Sequence, residues 1–106
     1  LFRTTNGGTS WSQISKWSNN NNLANLSCAL VHADQHAIVY KPGNSSQVLF
    51  GNDGGVFYTN SISTAATSNV ISARNKDYNV TQFYACAINP GSGSNNFLAG
   101  AQDNGT

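Results

Sequence analysis

The segment His32-Ala33-Asp34-Gln35-His36 alternates ionisable and other side chains. Along an extended backbone successive side chains point to opposite sides, so this spacing projects His32, Asp34 and His36 to one side. Two imidazoles and a carboxylate held together can bind zinc or another transition metal, or run acid and base chemistry around a tuned histidine. The competing role is hydrogen bonding to loop backbone. Two other segments carry carboxylates, Asn52-Asp53-Gly54-Gly55 and Gln102-Asp103-Asn104-Gly105. Asp34, Asp53 and Asp103 are the candidate catalytic residues, because paired carboxylates can supply a general acid and a base or nucleophile. For Asp53 and Asp103 the structural alternative is strong, since Asp-Gly-Gly and Asp-Asn-Gly are good turn sequences whose carboxylates cap backbone N–H groups. His32, His36, Asn52, Gln102, Asn104 and Tyr84 are the candidate substrate contacts. No cofactor is expected, and His32, Asp34 and His36 are the only metal-ligand candidates.

The elements that position these residues read as strands. Apolar residues alternate or cluster in runs of four to seven between Gly, Asn, Pro and Ser, and no long segment has a 3.6-residue period. The clearest strands are Ala37–Lys41, Gln47–Gly51, Val56–Thr59, Gln82–Ile88 and Asn96–Ala101. Turn-rich segments such as Pro42-Gly43-Asn44-Ser45 and Pro90-Gly91-Ser92-Gly93 join them. Of the aromatic residues Tyr40, Phe57, Tyr58, Phe83 and Tyr84, most are expected in packing, with Tyr84 beside a strand start and suited to offer its ring face to a ligand. The Asn19–Asn22 run reads as a solvated loop.

Two hairpins repeat one another. Ala37-Ile38-Val39-Tyr40-Lys41-Pro42-Gly43, then Val48 to Gly55, matches Ala85-Cys86-Ala87-Ile88-Asn89-Pro90-Gly91, then Phe97 to Gly105. The prolines are offset by about 48 residues and the aspartates by about 50, a period that with several short strands per unit points to propeller blades. The expectation is an all-β chain of about two four-stranded blades cut from a larger ring, because a closed propeller takes roughly four to eight. Residues 1–30 would end one blade, 31–81 form a second and 82–106 begin a third.

Composition narrows the partners. Charged residues are 8% of the 106, against roughly 25% in a typical soluble domain, and the net charge is +1. Such a surface lacks the basic footprint that a phosphate backbone or anionic lipid attracts, and no apolar run is long enough to span a membrane as a helix. Nucleic-acid and membrane partners are therefore not expected. Cys28 and Cys86 are too few to form a disulfide framework and read as two small buried apolar side chains, with pairing the alternative.

Thr4-Thr5-Asn6-Gly7-Gly8-Thr9-Ser10-Trp11 resembles the Asp box, or BNR repeat, of sialidases, sortilin-type receptors and related propellers. Thr4, Asn6, Gly8, Ser10 and Trp11 fall on its pattern, with Asn6 in the aspartate place. Asn6 and Gly8 suit a tight turn, Ser10 can tie it back, and Trp11 can pack between sheets. No second box follows Thr59, where Asn60 to Thr64 depart from the pattern. The motifs around His32–Ile38, Gly51–Phe57, Gln82–Tyr84 and Gly100–Thr106, in that order, look like secreted bacterial BNR-repeat proteins described as glycosyl hydrolase-like, many of them exported by type IX secretion. The resemblance implies a secreted or cell-surface bacterial protein that acts on or binds an extracellular polysaccharide, or a non-catalytic propeller binding glycan or protein. It also implies one polar face carrying His32, Asp34, His36, Asp53 and Asp103, opposite the Asp box. A typical sialidase is disfavoured, because that chemistry clamps its substrate with three arginines and only Arg3 and Arg74 are present.

Overall fold

The computed structural model describes residues 1–78, 81–91, 93 and 95–101. Two compact units divide the chain, Leu1–Lys76 and Asp77–Thr106. The described residues form an all-β structure of small sheets, with two 3-10 turns at Asn21–Leu23 and Ile62–Thr64.

The first unit opens with an antiparallel pair, β1 (Phe2–Arg3) and β2 (Ser12–Gln13), joined by the Thr4–Trp11 turn. Next come β3 (Ser15–Lys16) and β4 (Ala29–Leu30), paired in parallel. Lys16 Nζ donates to Leu23 O at 3.2 Å and Leu26 O at 2.8 Å, tying the intervening Asn-rich loop to β3. Asn21 takes φ 53°, a left-handed conformation that asparagine tolerates better than most residues.

The largest sheet is a four-stranded antiparallel meander of β5 (Gln35–Lys41), β6 (Asn44–Asn52), β7 (Gly55–Thr59) and β8 (Ser72–Ala73), in that spatial order. Alternation along β6 and β7 explains why it forms and which side it buries. Val48, Phe50, Phe57 and Thr59 are all buried, and Phe50 pairs with Phe57 as Val48 does with Thr59. Leu49 and Val56 point the other way and are exposed. Against the buried face pack Ile14, between β2 and β3, Ala29 of β4 and the adjoining Val31, with Ile62, Ala65 and Ile71 from the β7–β8 connection. Asn60 to Thr64, which lack the box pattern, thus supply a core anchor in Ile62.

β6 begins three residues earlier than its apolar run predicts. Gly43 takes φ 72°, which closes the β5–β6 turn over Pro42–Gly43 alone. Asn44 Oδ1 then accepts the Ser46 N–H at 2.9 Å, and strand pairing starts at Asn44.

The second unit contains the antiparallel pair β9 (Phe83–Ile88) and β10 (Phe97–Ala101). Cys86 lies in this hairpin and is exposed, contrary to its expected burial, because a two-stranded sheet leaves both faces open. Cys28 is buried, and both thiols are free.

Candidate functional site

The Thr4–Trp11 turn is held by its own side chains. Thr4 Oγ1 accepts the Asn6 N–H at 3.3 Å and the Gly8 N–H at 2.9 Å, and it donates to Asn6 Oδ1 at 3.0 Å. Asn6 Oδ1 also accepts the Ser10 N–H at 2.9 Å, while Asn6 Nδ2 donates to Ser10 Oγ at 2.9 Å. Gly7 and Gly8 take φ 66° and 92°, where a side chain would be strained. Trp11 donates its indole N–H to Gly8 O at 3.1 Å and is 60% exposed. Its expected place between sheets is not taken up: the indole lies against its own turn. Thr4, Asn6, Gly8, Ser10 and Trp11 all serve this turn and present no reactive group.

The chemistry-bearing residues gather where β5 begins and β6 ends. The expected projection of His32, Asp34 and His36 to one side does not occur. Asp34 takes φ 55°, so the backbone bends before β5 instead of running extended. Among the described residues no group of three or more His, Cys, Asp or Glu side chains is arranged to hold a metal.

His36 instead meets Asp53. Gln35 pairs with Asn52 and Ala37 with Gly51, so His36 is the extra residue of a β-bulge. A bulge bends its strand and re-aims a side chain, and here the His36 imidazole Nε2 contacts Asp53 Oδ1. The imidazole is 65% exposed and the carboxylate 28%, so the pair is open to a ligand from the His36 side.

The Asn52–Gly55 turn that carries Asp53 is fixed from several directions. Asn52 is buried, and its Oδ1 accepts the Gly54 N–H at 2.9 Å while its Nδ2 donates to Gln35 Oε1 at 3.4 Å. Asn52, expected among the substrate contacts, therefore has its amide turned into the fold. The Gln35 amide donates in turn to His32 O. His32 is half-buried over Gly54, where a Cβ would lie 2.7 Å from the imidazole Cγ. Its Nδ1 lies 3.1 Å from Ala33 O, within reach of donation in the tautomer protonated there. Asp34 is exposed at the bend. Gln102, Asp103 and Asn104 lie outside the described residues.

Two participants have no local signal in the sequence. Asn75 lies just past β8, and its Nδ2 donates to Gly54 O at 2.6 Å while its Oδ1 accepts the Val56 N–H at 2.8 Å. Gln35 is the spacer between Asp34 and His36. Both are neutral amides, and the contacts of Asn75 with Gly54 and Val56 and of Gln35 with Asn52 span 17 to 21 residues of chain.

The bulge recurs in the second hairpin. Gly100 pairs with Ala85 and Ala101 with Phe83, which leaves Tyr84 as the extra residue. Within its own hairpin Tyr84 thus occupies the position of His36, and it is 76% exposed. Each copy of the repeat lifts one side chain out of register near the start of its first strand: an imidazole in one and a phenol ring in the other. Comparison with protein-family profiles, curated proteins and solved structures finds no match.

Proposed function

We propose that this chain is part of a secreted or cell-surface Asp-box β-propeller, glycosyl hydrolase-like, that acts on or binds an extracellular polysaccharide. The observation that carries the reading is the bulge that re-aims His36 onto Asp53 and leaves the imidazole open to a ligand. Sugars present hydroxyl groups that both donate and accept, which an imidazole and a carboxylate can bind. The four-stranded meander and the self-bonded Thr4–Trp11 turn support the propeller part of the proposal. The bacterial source and the glycan partner are what the resemblance of the motifs around His32–Ile38, Gly51–Phe57, Gln82–Tyr84 and Gly100–Thr106 implies.

The non-catalytic alternative, a propeller that binds glycan or protein, draws on the commitment of Asp53. Its Oδ1 is engaged by His36, which suits a fixed hydrogen-bonding partner better than a free nucleophile. A hydrolysis screen and a glycan-binding screen on the full-length protein separate the two, with Asp34, Asp53 and Asp103 changed singly to Asn. Turnover lost in one variant with the fold retained supports the hydrolase. Binding without turnover, weakened in Asp53→Asn, supports the binding propeller, and neither binding nor turnover on any polysaccharide overturns the proposal.

A further inference from the structure

We infer that Asn75 is the positioning residue of the His36–Asp53 pair, holding the turn that carries the carboxylate against the imidazole. The inference deepens the functional reading of this pair and rests on it, but its test uses no glycan.

Within the hairpin the turn is closed by the pairing of Asn52 with Gly55 and by the Gly54 N–H on Asn52 Oδ1, and Asn75 adds a hold from outside the hairpin. Asp53 sits between a buried Asn52 and two glycines, and its own side chain reaches outward to His36. A turn of this composition adopts many conformations unless its carbonyls and amides are tied. Asn75 ties both exits, accepting from Val56 N and donating to Gly54 O, so one planar amide brackets Gly55. Gly55 takes φ 104°, and a Cβ there would come within 2.6 Å of Asn75 Cγ. The close fit shows that amide and turn are built around one another. Asn75 is itself placed by the Arg74 N–H, which donates to Val56 O at 2.8 Å.

From Asn75 a line of amides continues around the site. Gly54, held at its carbonyl by Asn75, gives its N–H to Asn52; Asn52 gives its amide to Gln35; and Gln35 gives its own to His32 O. Gln35 immediately precedes His36 on the bulge. The two halves of the pair are thereby connected through neutral hydrogen-bonded groups as well as by their own contact. Such networks fix geometry when every member is satisfied, and no described buried side-chain polar atom lacks a partner. Removing Asn75 frees the Gly54 carbonyl and the Val56 amide, and Asp53 loses its fixed position relative to His36.

The test is nitrogen-15 NMR of the histidine rings in the full-length protein at one fixed pH, which reads the electronic state of His36 Nε2. Asp53→Asn sets the reference shift for loss of the carboxylate. Asn75→Ala is expected to move His36 Nε2 in the same direction by at least half that amount, with the Val48 and Ile62 methyl signals unchanged. Asn75→Asp is near-isosteric and still accepts from Val56, but it sets an oxygen against Gly54 O, so it is expected to shift His36 as well; it carries the test should Asn75→Ala fail to fold. A His36 Nε2 signal at its parent position in the folded Asn75 variants overturns the inference. If Asn75 moves His36 while no polysaccharide binds, the positioning role stands and the glycan reading fails.

Discussion

Replacing Gly55 by alanine tests whether the Asp53 turn and Asn75 are one built unit. At φ 104° an alanine is strained by about 1–2 kcal/mol, before any contact is considered. Its Cβ would also displace Asn75, breaking the 2.6 Å bond to Gly54 O and the 2.8 Å bond from Val56 N. At about 1 kcal/mol for each bond the total loss is roughly 3–4 kcal/mol. Gly7 is the matched control: its φ is 66° and nothing lies within 4 Å of a built Cβ, so Gly7→Ala should show about 1–2 kcal/mol of strain and little else. The difference of about 2 kcal/mol belongs to Asn75 and should vanish when both glycine variants are remade with Asn75→Ala. Urea unfolding followed by tryptophan fluorescence is the assay, because Trp11 and Trp17 both lie in the Leu1–Lys76 unit. If Gly55→Ala costs no more than Gly7→Ala, or if the gap persists without Asn75, the account of the turn is wrong.

Other consequences are open to simpler measurements. Phe50→Ala empties a fully buried site and should destabilise the first unit by about 3–5 kcal/mol in the same unfolding assay. Asn6→Asp keeps the oxygen that accepts from Ser10 N and should lie within about 0.5 kcal/mol of the parent, whereas Asn6→Ala should lose about 1–2 kcal/mol. In the alanine variant the Gly8 and Ser10 amides should also exchange faster with deuterium. A thiol reagent should label Cys86 in the folded protein, and Cys28 only after unfolding.

The strands were legible because their signal is local. Alternation in Val48 to Gly51 and Val56 to Thr59 marks both the element and its buried face, and Gly43 marks the turn. The same reasoning misjudged His32, Asp34 and His36 because period-two logic presumes an unbroken extended backbone. One left-handed aspartate and one extra residue at His36 break it, and neither changes composition enough to show in the sequence. Asp53 was legible as a turn carboxylate, but its partner lies 17 residues away, and which histidine it meets depends on the bulge. Asn75 was invisible for the same reason, standing 19 and 21 residues from the groups it binds in a chain rich in asparagine. Cys86 was misread because apolar strand residues are buried only where another layer covers them.

The central claim is that the His36–Asp53 pair is the ligand-contacting part of the chain. Affinity electrophoresis of the full-length protein through gels containing soluble polysaccharides tests it most directly, comparing the parent with His36→Ala and Asp53→Asn. The account predicts that a polysaccharide which retards the parent is bound at least about tenfold more weakly by each variant, as expected from losing one hydrogen bond to a charged group. Equal retardation of the parent and both folded variants would contradict it.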